Sequence, residues 1–261
     1  MKTVIIPVDF SSTSLSTAKY AIKMLNGVDD VNLVLFHAYD KDSEEEEAHY
    51  QLNNLKNELK EYGAAMVNLH AEMNSDFPEA LSRFARHASA NLIVMGLTGK
   101  SKLEQIFMTS NTLKIVEKNP CPVMVIPPSA DFNNIKNVAL TSDFKDVDTT
   151  TPFEPIKKVL ELFQPNLHIV NVNSEHYVSL TEDYLAERNK MAEMFADFNP
   201  EFFFIGTYNF HDTINQFVID KNIDMVITIP RSHSFIENLF KANNTKKLVF
   251  ESTVPVLAAH E

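Results

Sequence analysis

The chain carries one sequence pattern twice. Residues 2–10, Lys-Thr-Val-Ile-Ile-Pro-Val-Asp-Phe, return as residues 136–144, Lys-Asn-Val-Ala-Leu-Thr-Ser-Asp-Phe. Residues 111–116, which begin Asn-Thr, return as residues 244–249, which begin with the same two residues. The offset is 134 for the first pair (136 minus 2) and 133 for the second (244 minus 111). Because two distant segments keep nearly the same spacing, the sequence predicts two copies of one domain in tandem.

Each copy alternates short apolar runs, typical of strands buried on both faces, with segments of helical spacing. In the first copy the predicted strands are Val4–Val8, Leu33–Ala38, Met66–Met73, Leu92–Met95 and Val123–Ile126. The predicted helices between them span residues 11–25, 44–62, 76–88 and 111–118. In the second copy the predicted strands are Val138–Thr141, Leu167–Val172, Phe202–Ile205, Met225–Ile229 and Val256–Ala259.

Strands that alternate with helices imply crossover connections and a mostly parallel sheet covered on both faces. The predicted fold class is therefore α/β, with two tandem doubly wound domains, each a mostly parallel five-stranded sheet with helices on both faces. The two prolines at residues 127–128 cannot continue a sheet ladder and begin the linker. We expect one domain at residues 1–128 and the other at residues 134–261.

Composition and charge limit the partners. A net charge of −12 without a basic stripe predicts no nucleic-acid partner and argues against docking on anionic membranes. No stretch is long enough to span a bilayer, and the N-terminus lacks the apolar run of a signal peptide. The single cysteine, Cys121, fits a reducing compartment and is interpreted as a packing residue, since no general base is recognisable near it. We therefore expect a cytoplasmic protein.

A glycine-containing loop follows the fourth predicted strand. Gly96 and Gly99 are followed, after nine more residues, by Thr109 and Ser110, which lead into a predicted helix. Glycines after a strand let backbone N–H groups approach a phosphate, and a helix N-terminus adds partial positive charge. Asp9 ends the first strand and could face the same crevice, where it could accept from a ribose hydroxyl or an adenine amino group. The alternative is that the glycines merely shape a turn.

These residues carry a family resemblance. The first strand ending in Asp9, the pattern G-x2-G-x9-G-S/T and the final strand 122–126 of the first copy resemble the universal stress proteins in their tandem, two-domain form. The resemblance covers essentially the whole chain, although the second half shows it more by order than by motif. It implies the adenine nucleotide alpha hydrolase-like fold and ATP binding. By the resemblance, adenine and ribose would lie near the ends of the first two strands, at Pro7, Val8, Asp9, His37 and Ala38. The triphosphate would lie on Met95, Gly96, Thr98, Gly99, Thr109, Ser110, Asn111 and Thr112.

The sequence departs from the family pattern in two places. Thr109 stands where the family has its third glycine, and its Cβ could crowd a phosphate. In the second copy Ile229 and Ser232 replace both loop glycines, and Pro230 removes a backbone N–H. We therefore expect ATP, with Mg²⁺ accompanying it, in the N-terminal domain only. The degenerate second domain keeps Asp143, which is interpreted as a turn acceptor.

The expected function is that of a cytoplasmic stress-response protein that binds ATP and acts through contacts with an unknown protein partner. No nucleophile–base pair, acid–base carboxylate pair or Walker lysine is recognisable, so we expect no enzyme beyond slow ATP hydrolysis. One alternative is the same fold without nucleotide binding, acting only as an interaction module. Another is an enzyme of a related α/β nucleotide-binding superfamily. The last strand of each half would leave an apolar sheet edge, so we expect the halves to pack as a pseudo-dimer. The sequence leaves homodimer formation open.

Overall fold

The structure, a computed structural model, describes residues 2–63, 66–96, 111–118, 120–128, 130–132, 134–173, 181–206, 210–229 and 252–260. It divides into two compact units, residues 1–133 and residues 134–261. They are called unit 1 and unit 2 below. Among the described residues, no helix is both long and apolar enough to cross a membrane.

Unit 1 alternates strands with helices. Its strands are β1 (Lys2–Pro7), β2 (Val31–Tyr39), β3 (Val67–Met73), β4 (Leu92–Gly96) and β5 (Val123–Ile126). Its helices are α1 (Ser12–Leu25), α2 (Glu45–Leu59), α3 (Phe77–His87) and α4 (111–118). Short 3₁₀ turns at Asp42–Glu44 and Lys60–Tyr62 flank α2.

The strands of unit 1 form one parallel sheet in the order β3-β2-β1-β4-β5. The chain moves outward from β1 through β2 to β3, then returns to the other side of β1 and continues with β4 and β5. Because crossovers between parallel strands are right-handed, this reversal places helices on both faces. The strand order switches between β1 and β4, and ligands of doubly wound sheets bind outside the carboxyl ends of strands at such a point.

Local sequence signals explain where the helices begin and end. Ser11 caps α1 by accepting a hydrogen bond from the backbone N–H of Ser14, and Asp76 caps α3 in the same way through Glu79. The turn after α2 ends at Gly63, whose φ of +99° is a conformation that glycine adopts without strain.

Unit 2 repeats the arrangement. Its strands are β6 (Asn137–Thr141), β7 (Asn166–Asn173), β8 (Glu201–Gly206), β9 (Met225–Thr228) and β10 (Val256–Ala258). Its helices are α5 (Val147–Thr150), α6 (Phe153–Phe163), α7 (Glu182–Met194) and α8 (Phe210–Asp220). The strands are parallel in the order β10-β9-β6-β7-β8. The predicted fold class is therefore confirmed for both units.

The central strands of both units are fully buried at their middle residues. Val4, Ile5 and Ile6 of β1 have no exposed surface, and neither do Val138, Ala139 and Leu140 at the equivalent places of β6. Burial on both faces of the sheet explains why these strands are runs of apolar residues rather than alternating patterns. The ends of the strands, and not their middles, are therefore where polar side chains can serve a ligand.

Candidate functional site

The carboxyl ends of β1, β2 and β4 surround a cavity of about 70 Å³ in unit 1. It lies at the point where the strand order switches, as the sequence predicts for Asp9 and Gly96. Eight of the predicted site residues line it: Pro7, Val8, Asp9, His37, Ala38, Met95, Gly96 and Asn111. Parallel pairing of β1 with both β2 and β4 brings them together.

Asp9 is exposed and holds the turn between β1 and α1. Its Oδ1 accepts hydrogen bonds from the backbone N–H of Ser11 at 3.0 Å and from the Ser11 hydroxyl at 2.6 Å. The backbone N–H of Asp9 itself donates to the Ser14 hydroxyl at 3.3 Å. Within the described part of the chain, the hydrogen bonds of the carboxylate use Oδ1 and leave Oδ2 for a ligand. Asp9 therefore has a structural role in addition to any role in binding.

His37 is held at the end of β2 by the first strand. Its Nδ1 lies 2.8 Å from the carbonyl oxygen of Val8. Because a carbonyl only accepts, Nδ1 carries the hydrogen, and in the neutral ring Nε2 is then an acceptor. The ring of Phe10, whose backbone has a φ of +60°, packs 4.6 Å from the imidazole. His37 therefore offers a fixed acceptor to a ligand that carries an N–H or O–H group.

Gly96 marks a close approach of β4 to α1. A Cβ built at this position would come within 2.8 Å of the Thr13 side chain and would also collide with the Thr17 hydroxyl. The absence of a side chain is therefore required by packing within the unit, whether or not a phosphate binds. Unit 2 has Ile229, a half-buried residue, at the equivalent position.

Helix α4 brings two predicted residues to this region. Asn111, its first described residue, lines the cavity, whereas Thr112 is buried and is not part of the lining. The Thr112 hydroxyl has no hydrogen-bond partner in the described structure. Four other predicted residues of the loop lie outside the described residues: Thr98, Gly99, Thr109 and Ser110. The structure therefore does not describe most of the predicted phosphate-binding part of the site.

Two cavity residues were missed by the sequence reasoning. Ser14 and Phe77 lie in the first turns of α1 and α3 and contribute to the lining. No motif marks them. The signal was topological: helices that follow parallel strands begin at the carboxyl edge of the sheet, so their first turns face its crevice.

The described part of the chain offers little else for chemistry. It contains no group of three or more His, Cys, Asp or Glu side chains arranged to hold a metal ion. Burial raises the pKa of the Cys121 thiol to about 12, so this residue is a protonated thiol at neutral pH and not a nucleophile. The titratable side chains of the cavity are Asp9 and His37, which the geometry suits to accepting hydrogen bonds from a bound molecule.

Known proteins resemble this chain in sequence and in fold. The model of the universal stress protein family matches residues 1–127. A universal stress protein of Methanocaldococcus jannaschii is 33% identical over 141 residues, which are 48% of this chain and 81% of that protein. A solved universal stress protein from Archaeoglobus fulgidus has a TM-score of 0.64 at 17% identity and covers 99% of this chain and 96% of its own. A protein of unknown function from Pseudomonas aeruginosa has a TM-score of 0.61 at 15% identity and covers 100% of this chain and 92% of its own. The structural likenesses show the fold, and the sequence relationship shows that the chain belongs to the universal stress protein family.

Proposed function

We propose that unit 1 binds an adenine nucleotide, ATP with Mg²⁺, and that occupancy tunes contacts of this cytoplasmic protein with a protein partner in the stress response. The observation that carries the proposal is the convergence of Asp9, His37, Gly96 and Asn111 on one cavity at the strand-order switch. The proposed domains are residues 1–128, which bind the nucleotide, and residues 134–261, which do not.

The residues around the cavity suit the nucleoside part of this ligand. The Nε2 of His37 and the Oδ2 of Asp9 accept hydrogen bonds, which fits an exocyclic amine or ribose hydroxyls. Asn111 is the first described residue of α4, and the sequence predicts that this helix begins there, so its N-terminal N–H groups would favour an anion on that side. When bound, Mg²⁺ would neutralise phosphate charge. Every described contact supports binding and orientation rather than catalysis, so hydrolysis would be slow.

A second candidate is the same fold without nucleotide, acting only as an interaction module. The size of the cavity favours it: about 70 Å³ is far below the roughly 300–1,000 Å³ of pockets that enclose drug-sized ligands. The described cavity can therefore hold only part of a nucleotide, and the remainder of the nucleotide would have to contact residues that the structure does not describe. Thr109, which stands in place of a loop glycine, also favours the candidate without nucleotide binding.

Equilibrium binding of a fluorescent ATP analogue to the purified chain separates the two candidates. Saturable binding that unlabelled ATP displaces is expected for the first candidate, and its absence would exclude that candidate. Gly99→Val should abolish binding by blocking the phosphates. The matched control is Ser232→Val, the equivalent position in the second copy, which should leave the affinity unchanged. Unchanged affinity in Gly99→Val would mean that the nucleotide binds elsewhere.

A further inference from the structure

Strand β8 is an aromatic strand at one edge of the unit 2 sheet. It comes last in the order β10-β9-β6-β7-β8, and among the described strands it pairs only with β7. Alternate residues of β8 therefore point their backbone N–H and C=O groups away from the sheet. Three consecutive phenylalanines, residues 202–204, occupy this edge, and Phe204 is 36% exposed. An exposed apolar edge of this kind is a template for pairing with another strand.

A groove of about 550 Å³ lies between β8 and α7. The residues of the two elements that line it are Leu185, Arg188, Glu201, Phe202, Phe203 and Phe204. Leu185 is 38% exposed, so an apolar side chain of the helix faces solvent beside the apolar strand. A strand added to β8 would therefore gain apolar contacts in the groove in addition to backbone hydrogen bonds.

One cation lies over each face of β8. The guanidinium carbon of Arg188 is 4.5 Å from the centre of the Phe202 ring, and Lys221 Nζ is 4.7 Å from the centre of the Phe203 ring. Because successive side chains of a strand alternate, these two rings lie on opposite faces. Neither cation forms an ion pair with a carboxylate of the described residues, and Arg188 donates only to the Asn189 amide oxygen, at 3.4 Å. The edge therefore presents positive charge on both of its faces.

The equivalent edge of unit 1 pairs its charges within the unit. There the Arg83 Nη2 of α3 donates to the Glu72 carboxylate of β3 at 2.6 Å. Strand register places Ile205 of β8 where unit 1 has Glu72. The edge of unit 2 thus has cations without the carboxylate that the edge of unit 1 supplies for itself, so a carboxylate from another chain would complete it.

We propose that β8 is the docking edge for an extended acidic segment of a partner protein, which adds to the unit 2 sheet as a further strand. The two cations lie over adjacent residues on opposite faces. Two adjacent acidic residues of the added strand, which also point to opposite faces, would meet them. An apolar residue beside that acidic pair would pack against Phe204 and Leu185.

The charges of the edge select this occupant. Glu201 begins β8 and lines the groove, so its carboxylate would repel an acidic run longer than the pair. A second copy of the chain is disfavoured, because two-fold pairing of β8 with itself would bring the Arg188 and Lys221 of one copy beside those of the other. The proposal gives the chemistry of the protein partner in the proposed function and in that respect rests on it. Binding to β8 is measured without nucleotide, so its outcome is independent of ATP binding by unit 1.

Fluorescence anisotropy of a labelled peptide, Val-Phe-Glu-Glu-Phe-Val, tests the docking edge. Its sequence reads the same in both directions, so it can pair parallel or antiparallel to β8. The wild-type chain should bind it saturably and should bind Val-Phe-Gln-Gln-Phe-Val about tenfold or more weakly, because charge-assisted hydrogen bonds are lost. N-methylation of both glutamates should abolish binding, because it removes a backbone N–H that pairs with the edge.

Charge reversal on the protein identifies the two cations. Arg188→Glu and Lys221→Glu should each weaken binding of the glutamate peptide about tenfold or more. The double variant should prefer Val-Phe-Lys-Lys-Phe-Val, and a gain of binding to this peptide cannot arise from a loss of folding. The matched control is Lys158→Glu, which makes the same change at an exposed position of α6 outside the groove and should leave the affinity unchanged.

Three results would overturn the proposal. The first is the absence of saturable binding to the wild-type chain. The second is equal affinity for the glutamate and glutamine peptides, or a loss in Lys158→Glu equal to that in the β8 variants. The third is a dimer of the free chain, seen by sedimentation, that Phe204→Thr dissociates, since this result would assign the edge to a second copy.

Discussion

Gly96 illustrates how one residue can be fixed by packing and by ligand access together. The Cβ of Gly96→Ala would collide with Thr13 and Thr17 of α1, whose β-branched side chains have little rotamer freedom. We expect Gly96→Ala to lower the free energy of unfolding by about 1–3 kcal/mol, measured by urea denaturation. In a Thr13→Ala/Thr17→Ala background the same change should cost much less. An equal cost in both backgrounds would show that the contact with α1 is not the cause.

We expect His168 on β7 to make the stability of unit 2 depend on pH. It is 8% exposed, and its ring nitrogens have no hydrogen-bond partner in the described structure. Burial lowers the pKa of His168; the carboxylate of Glu201, 3.7 Å from Nδ1, opposes this effect and the Lys221 ammonium adds to it. The unfolded chain therefore takes up a proton near pH 6.5, where the folded chain resists it. Stability from this residue is present above pH 6.5 and is lost as the pH falls below it.

The matched variant for this prediction is His168→Val, because unit 1 has Val34 at the equivalent position. Wild-type protein should lose more unfolding free energy between pH 7.5 and pH 5 than His168→Val does, as measured by urea denaturation at each pH. Other groups titrate in both proteins, so the difference between the two curves isolates His168. Parallel curves would contradict the prediction.

At the scale of elements, both units enter their first helical segment through the same turn. Asp9 Oδ1 accepts from the backbone N–H two residues later, and Asp143 Oδ1 does so from Lys145 at 3.2 Å. The phenylalanine after each aspartate has a positive φ, +60° at Phe10 and +51° at Phe144. Positive φ is uncommon for such residues, so the aspartate side chain stabilises a conformation that the backbone alone disfavours.

We therefore expect Asp143→Ala to lower the free energy of unfolding by about 0.5–2 kcal/mol, as for a lost helix cap. Asp9→Ala should cost at least as much, because its Oδ1 also accepts from the Ser11 hydroxyl. The Asn variants at both positions keep an Oδ1 acceptor and should recover most of the loss. Urea denaturation of the four variants checks this, and an Asn variant as unstable as its Ala counterpart would show that charge, and not the turn, matters.

The helices and strands could be predicted from the sequence, whereas some contacts between them could not. Apolar runs predicted all ten strands within two residues, because burial on both faces leaves a strong local signal. The helices of unit 1 were predicted within one residue, except that α2 ends three residues earlier, at Leu59, where a 3₁₀ turn continues to Tyr62. The equivalence of His37 and Asn171 was not visible, since the two residue types share no motif and become alike only through a hydrogen bond to the neighbouring strand. The sequence also did not show that packing requires a glycine at position 96, because this depends on how close α1 lies to β4.

At the scale of the whole chain, the repeat determines more than the order of elements. The backbone N–H of Asn91 donates to the Thr3 carbonyl at 2.8 Å, and that of Asp224 donates to the Asn137 carbonyl at 2.8 Å. Such matched bonds show that the two copies differ in side chains at the crevice rather than in the sheet that positions it. The two units therefore differ in the side chains that a ligand would meet. The number of ATP molecules bound per chain tests whether this difference confines binding to one unit.

We expect one ATP per chain, bound in unit 1. The glycines that would admit phosphates are present in unit 1, whereas the equivalent positions in unit 2 are Ile229 and Ser232. Calorimetric titration of wild-type protein with Mg²⁺-ATP should give a stoichiometry of one. Asp9→Asn keeps the turn but removes a carboxylate acceptor, so it should weaken ATP binding by about tenfold, the cost of roughly one charge-assisted hydrogen bond. Asp143→Asn makes the same change in unit 2 and should leave both affinity and stoichiometry unchanged. A stoichiometry of two, with equal losses in the two variants, would mean that unit 2 binds phosphate without the glycines and that the loop sequence does not decide where the nucleotide goes.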